Sequence, residues 1–95
     1  MSGLQVGGGS MEAMGMAIET LISEFRQQLH GRLTDRQRVI DQLLDLRLVS
    51  EGRPEFRSAV DALLGSVPGL TVVETDWWRL ELDRLAAVYD AAPVA

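Results

Sequence analysis

Apolar residues recurring at steps of three and four leave this chain little alternative to α-helix. Met11, Met14, Ile18, Leu21, Ile22, Phe25 and Leu29 form one such series. At 3.6 residues per turn they fall on a single face, which must be buried against something. A second helix is predicted from Val39, Ile40, Leu43, Leu44 and Leu48, and a third from Phe56, Ala59, Val60, Leu63 and Leu64. A fourth carries Trp78, Leu82, Leu85, Ala86 and Tyr89. Leu70–Val73 is the one β-branched apolar run, and nothing else in the chain looks like its strand partner. A lone strand is unstable, so this run is expected to be an extended crossover tucked against the core.

Turn chemistry sets the expected boundaries. Ser10 can cap the first helix, and Gly31 can take the left-handed conformation that ends it. Thr34 is expected to be the N-cap of the second helix, with Gln37 completing a capping box. Ser50-Glu51-Gly52-Arg53 reads as a turn, and Pro54 stands where proline opens a helix. Gly65 and Pro68-Gly69 close the third helix, Thr75 and Asp76 can cap the fourth, and Pro93 ends it. Gly15 weakens the first helix and can split it. The expected fold is therefore all-α: a compact bundle of four to five amphipathic helices with short loops. One domain is expected over 11–92, with 93–95 as a tail. Residues 1–10, with four glycines and two serines, read as a flexible lead or linker. Gly7-Gly8-Gly9-Ser10 ahead of Met11 equally has the composition of an artificial junction.

Composition narrows the chemistry. There is no cysteine, which removes disulfides, thiolate nucleophiles and sulfur-bound zinc. All nine basic residues are arginine, so no lysine is present for Schiff-base chemistry. The net charge of −5 argues against nucleic acid and anionic membrane as main partners. No apolar run approaches the roughly 18 residues of a membrane span. The N-terminus lacks the basic and apolar regions of a signal peptide, so a cytoplasmic address is expected.

No residue pattern points to catalysis, a cofactor or a metal, and no small-molecule substrate is evident. His30, the one histidine, is read as a helix-end group near Gly31, where a cation suits the dipole. Asp41 and Asp45 lie one turn apart on the solvent side of the second helix, and two carboxylates alone make a poor cation site. Glu74 and Asp76 suit the start of the fourth helix. The glycines lack the spacing and lysine of a phosphate loop. A helix-turn-helix built from the second and third helices would present Glu55 and Asp61 beside Arg57, which is wrong for approaching phosphates.

The informative residues are those suited to protein contacts. Arg26, His30, Arg32, Arg36 and Arg38 cluster around one corner with only Asp35 against them. The stretch from Glu74 to Asp90 is acidic. Arg57 with Asp61 and Arg79 with Asp83 have in-helix pairing distance. Trp77 points about 100° away from Trp78 and is expected at the core edge or exposed. A basic corner and an acidic helix steer partner choice, and between copies they make a heterologous contact. The expected interaction residues are Arg32, Arg36 and Arg38 on one side, and Trp77, Glu81 and Asp83 on the other.

Leu43-Leu44-Asp45-Leu46, followed after a gap by Arg57-Ser58-Ala59-Val60-Asp61-Ala62-Leu63-Leu64, resembles the effector-associated domains of bacterial conflict systems. Those are small death-like helical adaptors that bring effectors together by like-with-like contacts. The resemblance implies a non-enzymatic adaptor working with a protein partner, with its own copies, or with both. The alternative is a small dimeric regulator binding one client, of the antitoxin or anti-activator type. It would pair through Met11, Met14, Ile18, Leu21 and Phe25, which approach heptad spacing.

Overall fold

The chain order in the computed structural model is α1 (Ser10–Gln27), β1 (Leu33–Asp35), α2 (Arg36–Leu48), α3 (Pro54–Leu64), β2 (Val72–Glu74) and α4 (Thr75–Ala91). Residues 10–91 are described, with side chains from residue 17 onward. Residues 1–9 of the lead expected over 1–10, the tail at 93–95 and the Met11 and Met14 side chains lie outside the described residues, while Ser10 is the first residue of α1. Four helices are described, not five, because α1 runs unbroken through Gly15.

The four helices surround one core. Ile18, Ile22 and Phe25 enter it from α1, Val39, Leu43 and Leu46 from α2, and Phe56, Val60 and Leu63 from α3. Trp78, Leu82 and Leu85 enter from α4. Each set follows helical spacing, so burial of these faces is what holds the predicted helices in place. Fully burying a side chain of this kind contributes about 1.5–3 kcal/mol. Ile18 and Phe25, two of the α1 residues expected to pair two chains, are buried in their own core.

Leu70–Val73 is not simply a crossover. Val72–Glu74 pairs antiparallel with Leu33–Asp35, in the register Leu33↔Glu74, Thr34↔Val73 and Asp35↔Val72. The ladder continues beyond both ends, with Thr75 N donating to Arg32 O and Arg36 N donating to Thr71 O, each at 2.9 Å. The partner strand is three residues long and runs straight into a helix, so it leaves no alternating pattern to recognise. Thr34 and Val73 face inward, and their neighbours on each strand face solvent.

This pairing also reassigns the caps. Thr34 is buried, and its hydroxyl lies 2.8 Å from that of Thr75. The N-cap of α2 is Asp35, whose Oδ1 accepts from Gln37 N at 3.3 Å. The capping box expected from Thr34 and Gln37 is absent because the Thr34 hydroxyl turns inward to Thr75. Pro54 does occupy the first turn of α3. Gly65 ends that helix in the right-handed region, at φ −78°. Gly31 has φ +75°, but α1 has already stopped at Gln27.

α2 is rotated from its expected setting. Its buried residues are Val39, Gln42, Leu43 and Leu46, with Ile40 half-buried and Leu44 and Leu48 exposed. The cause is Gln42. Its Oε1 accepts the Trp78 indole N–H at 2.9 Å, and its Nε2 donates to Gln28 Oε1 at 3.2 Å. A polar side chain with those partners can occupy the inner face. The apolar series then has to turn outward at its Leu44 and Leu48 end.

Candidate protein-interaction surface

The six expected interaction residues do not form two free, opposed patches. Arg36 is half-buried and donates from Nε to the Pro68 carbonyl at 2.6 Å, which pins the start of α2 to the loop before β2. Asp83 accepts from Arg26 at 2.7 Å, joining α4 to α1. Arg26 belongs to the basic corner, so part of the expected charge asymmetry closes inside one chain. Glu81 accepts from Arg84 at 3.3 Å, and its side chain is only 16% exposed. Arg32 and Arg38 are exposed, and among the described residues neither has a side-chain hydrogen bond or ion pair.

The in-helix pairs expected for Asp61 and Asp83 are replaced by tertiary ones. Asp61 pairs with Arg47 across α2 and α3 at 2.6 Å. Arg79 pairs with Asp76 on the preceding turn at 2.8 Å, and not with Asp83 on the next. Long arginine side chains reach across helix contacts as easily as along a helix. All four ion pairs are solvent-facing on at least one side, and such pairs add about 0–1 kcal/mol.

Arg32 lines a depression beside the sheet with Leu33, Glu74 and Asp76. Arg38 borders a cleft between the end of α1 and the start of α2, shared with His30, Asp35 and Gln42. His30 lies beyond α1, where its Nδ1–H donates to the Gln28 carbonyl at 2.9 Å. The last-turn position read for His30 from the sequence is not met, because α1 stops at Gln27. Asp41 and Asp45 are exposed, and Asp41 accepts from Gln37 Nε2 at 2.9 Å. Among the described residues, no group of three or more histidine or carboxylate side chains is placed to hold a metal ion. No described helix is long and apolar enough to cross a membrane.

Trp77 is half-buried, stacked on Trp78 with ring centroids 6.3 Å apart. It stands at the lip of a groove between α3 and α4, about 390 Å³ in volume. Ala59 and Ala62 line the α3 side, Leu85 and Val88 the α4 side, and Glu81 and Arg84 the rim.

The sequence reading missed the exposed apolar residues. Leu48 is 76% exposed, Leu70 72%, Leu33 59%, Leu80 57%, Leu44 44% and Val72 38%. Leu33, Leu70 and Val72 belong to the sheet and its approach, while Leu44 and Leu48 share the outer side of α2. Leu44 and Leu48 have the same spacing as an inner stripe, so no local signal separates the two cases.

The sequence matches no protein-family model, and neither curated proteins nor solved structures give a significant match to it.

Proposed function

We propose that this chain is a non-enzymatic protein–protein interaction domain, an adaptor that works through its helix faces and associates with its own copies. The observation that carries this reading is the set of large apolar side chains left in solvent, above all Leu44 and Leu48 on a helix that already buries its other face. Single exposed leucines are ordinary. Two on consecutive turns, with an apolar groove elsewhere on the same small surface, suit helix-in-groove recognition. Arg32 and Arg38 add exposed charge without local partners, which favours steering over affinity. The resemblance to effector-associated domains points the same way, toward an adaptor in a bacterial signalling or conflict system.

The test is light scattering on the purified chain across concentration, at low and high salt. Mass that rises with concentration supports the reading. Persistence of that rise in 1 M salt assigns the contact to the leucines. Its collapse assigns the contact to the arginines, because exposed charges are screened within about 3 Å at that ionic strength. A constant single-chain mass overturns self-association.

A further inference from the structure

We propose that α2 of one copy docks in the α3–α4 groove of the next, with Leu44 and Leu48 on Ala62 and Trp77 and with Asp45 facing Arg84. The proposal rests on the self-association reading and names its two surfaces.

Leu44 and Leu48 are one helical turn apart and point to the same side of α2. Asp41 and Asp45 run along one flank of that pair, both exposed. Arg47 lies on the other flank, held by Asp61. The raised surface is therefore apolar, with Arg38, Asp41 and Asp45 along one edge. Asp41 accepts from Gln37, and among the described residues the Asp45 carboxylate has no hydrogen bond or ion pair. The α3–α4 groove is its counterpart. Ala59 and Ala62 have short side chains and allow a third helix to approach closely, since interaxial distance depends on the residues at the contact. Trp77, Leu85 and Val88 supply the apolar wall. Arg84 stands at the rim with its side chain 72% exposed, and its one ion pair is the 3.3 Å contact with Glu81. It retains donors for a second carboxylate, and a guanidinium can serve two.

The two surfaces lie on opposite sides of α3. Asp61 reaches α2 from one side, whereas Ala59 and Ala62 face the α4 groove on the other. One chain cannot fill its own groove with its own α2. Each docking event leaves one groove and one α2 face open, so the contact is heterologous and propagates into a chain or ring.

The experiment uses the full chain and two variants at exposed positions, Leu44→Glu/Leu48→Glu and Ala62→Glu, with circular dichroism as the check on folding. Each variant alone should remain a single chain by light scattering where the parent assembles. An equimolar mixture should form a species of two chains and stop there, because one intact groove and one intact α2 face remain. Variants that assemble like the parent, or a mixture that stays at one chain, overturn the proposal while leaving self-association standing. A parent chain that never assembles overturns the self-association reading itself. Charge exchange gives an independent reading. Asp45→Arg or Arg84→Asp alone should raise the concentration for half-assembly about fivefold, and the two together should largely restore it. Loss in the double variant equal to the sum of the singles overturns the pairing.

Discussion

Trp78 donates its indole N–H to Gln42 Oε1 at 2.9 Å inside the core, with Trp78 fully buried and Gln42 nearly so. This bond joins α4 to α2 on the face of α2 that turns inward. Leu44 and Leu48 lie away from that face, in solvent.

Replacing Gln42 by leucine should destabilise the chain by about 1–3 kcal/mol, the cost of leaving a buried donor without an acceptor. Combining it with Trp78→Phe should cost less than the sum of the two single changes. Urea denaturation of all four proteins measures the coupling. Simple additivity would show that the bond couples α2 and α4 by no measurable energy.

The Thr34 and Thr75 hydroxyls satisfy each other at 2.8 Å beneath the sheet. Thr34→Val or Thr75→Val alone should cost about 1 kcal/mol or more, because one buried hydroxyl loses its partner. The double valine variant should be more stable than either single variant. Thermal melts ordered otherwise would indicate that water replaces the missing partner.

Asp83→Asn should lower stability by no more than about 1 kcal/mol and leave assembly unchanged. The Asp83 carboxylate is engaged by Arg26 within the chain, with both side chains about half exposed. The small stability difference from the parent should fade in 1 M salt. A large loss of assembly would return Asp83 to the interface.

Gly31 has φ +75°, and a Cβ built there meets nothing within 4 Å. Gly31→Ala should therefore cost about 1 kcal/mol from backbone conformation alone. Gly31→Asn should cost less, since asparagine tolerates the left-handed region. Denaturation midpoints with equal losses for the two variants would point to a steric cause instead.

Local patterns carried the helices well. Pro54 opens α3 as expected, and Trp78 points inward with Trp77 beside it at the core edge. The candidate surface was less legible. Arg32, Arg38, Trp77 and Glu81 border clefts or grooves. Arg36, Glu81 and Asp83 look like free surface charges in sequence but are engaged by Pro68, Arg84 and Arg26. An arginine does not reveal whether a carbonyl 32 positions away will meet it.

The amino-acid sequence by itself determined that this protein builds amphipathic helices, because helical spacing and turn residues act over a few positions. Tertiary structure alone decided the rest. It paired Leu33–Asp35 with Val72–Glu74, moved the α2 cap from Thr34 to Asp35, and turned Gln42 inward and Leu48 outward. Each of those outcomes depends on a partner far along the chain, such as Thr75 for Thr34 or Trp78 for Gln42. A buried polar group is stable only when such a partner is brought to it, and periodicity contains no information about where that partner lies.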